Sequence, residues 1–170
     1  MPSALTAAHA LSLTALLGAA GDAMADPARH AINAFNSWCF KAGQTDAEAR
    51  KNMNVDAARF DLTFWDDSLE PRPAEAPEGV ERRCEVAFDG NHTAQAITAL
   101  RKQMQTPPVF GRKIPLPDTH QSQDGTALIE GRELLRGRVA VVHIGTRNDD
   151  ARTFMAVDRL YDGLGLRVSQ

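Results

Sequence analysis

Between Thr126 and Tyr161 the chain packs three strand-like segments, joined by links that leave room only for sharp reversals. The segments are Thr126–Leu135, Arg138–Gly145 and Arg152–Tyr161, with turns at Arg136-Gly137 and Arg147-Asn148-Asp149-Asp150. Parallel strands need a crossover of a dozen residues or more, so these three must run antiparallel. The middle segment, Val139-Ala140-Val141-Val142-His143-Ile144, is apolar on both faces and predicts a central, covered strand. The outer two alternate, as half-covered strands do. Gly131 inside the first of them suggests a bulge.

Upstream, the hydrophobic period switches between 3.6 and 2. Asp26-Pro27 is a helix start, an Asp N-cap followed by Pro at the first helical position. The helix it opens places Ile32, Phe35 and Cys39 on one face and stops at Gly43. Thr45-Asp46-Ala47-Glu48 fits a capping box and opens a second helix, with Ala49, Met53 and Ala57 inward, to about Ala58. Phe60 to Phe64 alternates like a short strand. Ser68 to Gly79 holds three prolines and predicts an exposed connection over 68–79. Val80, Cys84, Val86 and Phe88 then share one strand face, with Glu81, Arg83 and Glu85 on the other. Thr93 to Gln105 reads as a helix with Ala94, Ile97, Leu100 and Met104 inward, ended by Pro107-Pro108. Gly111 to Gly125 reads as a loop. The expected fold is α+β: two N-terminal helices followed by a β-α-β-β-β unit, the helices packed on one face of an antiparallel sheet.

The N-terminus reads as an address. Ala10 to Ala20 is uncharged and apolar, and Ala23-Met24-Ala25 supplies a small-x-small end before Asp26-Pro27. This is the pattern of a secretory signal peptide over 1–25, cut after Ala25. It is too short to span a bilayer, which takes about 20 apolar residues. The first nine residues contain no Lys or Arg, so an amphipathic helix of a cytosolic protein and a different start codon are the competing readings. Charge favours the signal: all 19 Lys and Arg lie after position 25, and Asp22 is the one acid before it. No cysteine stands at the cleavage region for lipid attachment. The remaining 26–170 is the length of a single α+β domain, in a periplasmic or secreted location.

Beyond residue 25, 19 basic and 21 acidic residues leave a net charge of −2, scattered in both signs. That excludes the clustered Lys and Arg of a nucleic-acid binder. In an exported chain the two cysteines, Cys39 and Cys84, predict a disulfide closing a loop of 46 residues counting both ends. Two buried free thiols are the alternative. The sequence has no CxxC and no cysteine close to a histidine, so a redox or nucleophilic role gains no support.

No GxSxG elbow, SxxK, HExxH, P-loop or GxGxxG is present, and no cofactor is expected. A mixed nitrogen and oxygen metal site could form from His92, His120, Asp89 and Asp118 if the loop folds back on the strand-to-helix turn. Two solvated loop histidines are the plainer reading. His143 shares a face with Val139 and Val141 and reads as a hydrogen-bonded core histidine, with Asp158 a partner if the register allows. Trp38, Phe60, Phe64 and Trp65 concentrate the aromatics, as a pocket lining or as part of a small core.

Phe35-x-x-x-Cys39 in the first helix, Arg83-Cys84-Glu85-Val86 on a strand, and the hairpins from Thr126 to Leu160 resemble small exported proteins of Gram-negative bacteria. The resemblance implies a localisation and a disulfide, and no catalytic residue. Two functions follow. The first is a non-catalytic periplasmic module that binds an envelope protein, peptide or other envelope component. It would use an exposed apolar patch, Trp65 among its candidates, or a free sheet edge. The second is a small hydrolase or metal-dependent enzyme centred on His92, His120 and nearby carboxylates.

Overall fold

The computed structural model describes residues 26–147 and 151–161. The signal peptide, most of the last expected turn and the end of the expected domain lie outside the described residues. The described chain is mixed helix and strand, built on one six-stranded antiparallel sheet. In chain order the elements are α1 (Pro27–Ala34), α2 (Asp46–Met53), α3 (Val55–Ala58), β1 (Asp61–Asp66), β2 (Val80–Asp89), α4 (Thr93–Gln105), β3 (Arg112–Ile114), β4 (Thr126–Glu133), β5 (Val139–Arg147) and β6 (Arg152–Leu160). The sheet order is β1-β2-β6-β5-β4-β3. β5 thus lies between β6 and β4, in the interior of the sheet, as its two apolar faces predict.

Local chemistry explains the helix ends. The Asp26 carboxylate accepts from the Ala28 amide, and Pro27 follows it at the first helical position. A π-helical turn, Phe35–Cys39, prolongs α1 and brings Phe35 and Cys39 into the core. Thr45 and Glu48 complete the capping box of α2. The second helix is broken at Asn54, which takes a left-handed conformation (φ 53°), so α2 and α3 are separate pieces. On α4 it is Ala96 rather than Ala94 that is buried with Leu100 and Met104.

Helices α1, α2 and α4 share one core with the near face of the sheet, where Cys84, Val86, Val142, Ile144 and Met155 point. Cys39 and Cys84 form a disulfide there, with Cα atoms 5.3 Å apart, tying the first helix to β2. None of the described helices is long and apolar enough to cross a membrane.

The far face has a core of its own. Trp65, Val80, Val139, Val141 and Leu160 form it, covered by Ala76 from the 67–79 connection and by Ile114 and Leu116. The Pro-rich connection is therefore a partial cover for the sheet as well as an exposed link. Val80 differs from its expected place beside Cys84. A bulge between Val80 and Arg82 turns it to the far face, while Arg82 stays on the near face with Cys84.

Gly131 is also reassigned. It pairs in register with Val141, and the irregularity of β4 falls instead between Thr126 and Leu128. A Cβ at Gly131 would sit 2.8 Å from the Pro115 carbonyl oxygen, so this glycine admits the backbone that crosses it. That crossing belongs to β3, a three-residue edge strand within the expected loop. Both sheet edges are guarded: β3 carries Arg112 and Lys113, and on β1 the Arg50 guanidinium donates to the Leu62 carbonyl at 3.0 Å.

Candidate functional site

Two places gather chemistry, one on each face of the sheet. On the far face Asp158 is fully buried, at 0% exposure. Period 2 points its carboxylate to the side where Arg83 and Val141, its cross-strand neighbours, also point. Arg83 grips it with both arms, Nε donating to Oδ1 at 2.7 Å and Nη2 to Oδ2 at 2.5 Å. His120 Nε2 lies 3.1 Å from Oδ2. His143 Nε2 lies 3.5 Å from the same oxygen, an electrostatic contact too long for a good hydrogen bond, and it has no other partner. Burial alone would raise the Asp158 carboxyl. The hydrogen bonds from Arg83 and His120, the nearby His143 and the charge of Arg83 outweigh it and hold the group far below the usual carboxylate range.

An ionised Asp158 can only accept, so His120 must present Nε2–H to it. In the neutral ring that leaves Nδ1 as an acceptor, and the Thr119 hydroxyl lies 2.9 Å from it. The network thus assigns a chain in which Thr119 donates to His120 and His120 donates to Asp158. The group borders a cleft of about 420 Å³ lined in part by Arg83, Glu85, His143 and Arg147. Glu85 is buried and paired with Arg147.

The expected metal quartet is not brought together. His92 caps α4 on the near side, its ring beside Phe88 at 6.0 Å between centroids, while His120 reaches Asp158 on the far side. Asp89 is exposed and pairs with Arg152 at 3.2 Å, and Asp118 is exposed on the 115–125 segment. Among the described residues no three His, Cys, Asp or Glu side chains are grouped to hold a metal. The aromatics also part company. Phe60 and Phe64 lie in the near core, Trp65 is buried in the far one, and Trp38 is half-buried beneath the Lys41 ammonium, 3.7 Å from its ring. Trp65 is therefore no part of an exposed patch.

On the near face the helix layer and sheet do not close completely. A chamber of about 170 Å³ remains, walled by Cys39, Phe40, Phe110, Leu134, Ala140 and Val157 with Arg82, Arg138 and Arg159. Phe40, Phe110, Leu134 and Arg138 also line a groove of about 890 Å³ that opens to the surface. Val109 and Leu135, on the rim of that groove, are 59% and 89% exposed, two of the three large apolar residues left in solvent among the described residues. Period 2 puts Arg82 on the Cys84 face and Arg159 on the Val157 face, but only the pairing of β2 with β6 sets the two arginines opposite each other.

No protein-family model matches the chain, and neither does any curated protein or solved structure.

Proposed function

We propose that the chain is a non-catalytic binding module, exported to the periplasm or beyond after cleavage following Ala25. Its ligand site is the near-face chamber with its open groove. One observation carries the reading: Val109 and Leu135 stand in solvent on the rim of a cavity walled by Phe40, Phe110 and Leu134. Exposed apolar residues around a concave apolar surface mark interaction sites, since folding has no need of them there. The disulfide and the resemblance to exported Gram-negative proteins support the location.

The test uses protein recovered from the exported fraction, with Nile red, a neutral apolar dye, as probe. The reading expects a mass beginning at Asp26 and two hydrogens light, and about one dye bound per chain. Val109→Glu with Leu135→Glu should abolish dye binding and change stability by about 0.5 kcal/mol or less, as exposed sites do. A wild-type protein that binds no dye, or a variant that binds as well as wild type, overturns it.

A second reading has its own observation, the Thr119–His120–Asp158 chain. It is that of a small hydrolase in which His120 Nδ1, held in its tautomer by Asp158, takes the Thr119 proton as the oxygen attacks an ester carbonyl. The C–O bond to the alcohol breaks, the alcohol leaves with that proton, and water then frees the acyl group. Here His92 has no part. The reading expects turnover of p-nitrophenyl acetate that Thr119→Val abolishes without a change in melting temperature. Turnover no faster in wild type than in that variant rules it out.

A further inference from the structure

The binding reading leaves the ligand's chemistry open, and the chamber floor specifies it. Across the sheet, one cross-strand row on the near face runs Asp66, Arg82, Arg159, Ala140. Two arginines stand directly opposite each other in it, an arrangement that destabilises a ladder. They share one carboxylate: Asp66 lies 3.6 Å from Arg82 Nε and 3.3 Å from Arg159 Nη2. Arg159 Nε has Glu81 at 2.9 Å, whereas Arg82 has only a backbone carbonyl, that of Lys41, as a further acceptor. The Arg82 side chain is 7% exposed, and its Nε–H makes no hydrogen bond, Asp66 at 3.6 Å being an ion-pair contact only. A buried charged donor left unsatisfied is expensive. Burial lowers the Arg82 guanidinium to about 10, Asp66 opposing that and Arg159 adding to it, so it stays a cation at neutral pH.

The chamber wall thus contains three arginines and no acid, and its remaining surface is aromatic and aliphatic. Such a wall fits a molecule with a planar anion at one end and hydrocarbon behind it. Resting on the binding reading, we propose that the cavity takes a free aliphatic carboxylic acid, its carboxylate at Arg82 and Arg159 and its chain passing Phe40, Phe110 and Leu134 into the groove. A carboxylate matches the guanidinium fork in geometry as well as charge. The groove, opening past Val109 and Leu135, gives the chain a way out to the surface.

The experiment titrates the disulfide-intact protein with decanoate and with decanol, of equal chain length, by calorimetry. Decanoate should bind one per chain and about tenfold or more tighter than decanol, the worth of one charge-assisted hydrogen bond. Arg159→Gln should remove that preference, decanoate affinity falling to that of decanol for the same variant. Should Arg159→Gln not fold, Arg138→Gln at the mouth of the same chamber should reduce the preference severalfold. Equal affinity for the two probes overturns the proposed charge recognition and leaves the binding reading intact. A decanoate preference untouched by either substitution also overturns it, because the anion then sits elsewhere. Binding of neither probe removes the binding reading together with it.

Discussion

Replacing Asp158 by asparagine leaves the shape of the far-face cluster and removes its charge. In the wild-type protein this carboxylate receives two bonds from Arg83 and one from His120, with nothing of it exposed. The amide keeps one oxygen and turns an NH₂ group toward groups that are themselves donors. Arg83, with 18% of its side chain exposed, is left charged without its partner. Breaking a buried pair from one side costs about 3–5 kcal/mol, against a total stability of about 5–15 kcal/mol for a domain. Urea unfolding at pH 7, followed by circular dichroism, should register that loss as a lower midpoint with an unchanged slope. Acid supplies a second readout. A carboxyl held far below its unfolded value of about 3.9 contributes stability that is fully present above that pH and is lost as pH falls toward the folded value. Below about pH 4 the wild type should therefore lose up to about 1.4 kcal/mol per pH unit more than Asp158→Asn does. A cost under about 1 kcal/mol at pH 7, or acid slopes that coincide, would refute the view of Asp158 as the charged centre of this cluster.

Gly131→Ala places a methyl 2.8 Å from one backbone oxygen and 3.1 Å from another, those of Pro115 and Ile114. It should cost about 1–3 kcal/mol in chemical unfolding and raise hydrogen exchange at Lys113 and Ile114, where β3 is prised from β4. The double change Cys39→Ser and Cys84→Ser opens a 45-residue separation, worth about 4 kcal/mol by chain entropy. The check is a melting temperature lowered to the same extent by reductant in wild type and not at all in the variant. Arg50→Ala frees the Leu62 carbonyl on the β1 edge and breaks an exposed pair with Asp46. Stability should fall by less than about 1 kcal/mol, while light scattering on concentration should show self-association through the opened edge.

Strand period and short links made the sheet legible, because both act within a few residues. The two apolar faces of Val139–Ile144 put β5 inside the sheet, and alternation placed Asp158 within reach of His143 once β5 and β6 paired. What joined them to His120 could not be read the same way. That histidine arrives on a segment whose path is fixed by Leu116 packing into the far core and by the open space above Gly131. β3 was invisible for a related reason. Arg112-Lys113-Ile114 has no strand pattern of its own and becomes a strand only because β4 offers it an edge.

The chamber shows the same division between local and tertiary causes. Strict alternation from Cys84 puts Arg82 on the near face and would keep Val80 there too. One extra residue in the bulge moves Val80 to the far core, where it is fully buried beside Leu160, while the regular register beyond it sets Arg82 opposite Arg159. The far face gains an apolar contact, and the near face keeps two facing cations beside a cavity. A regular strand would leave Val80 out of the far core, so the bulge has a packing reason that owes nothing to any ligand. The arginines answer to charge: a neutral side chain at either position would remove the repulsion but leave the buried Asp66 short of a cation, and at position 159 Glu81 as well. Two arginines facing two acids, Asp66 and Glu81, thus balance in charge, and it is the unbonded Nε–H of Arg82 beside the cavity that packing leaves open and an arriving anion would satisfy.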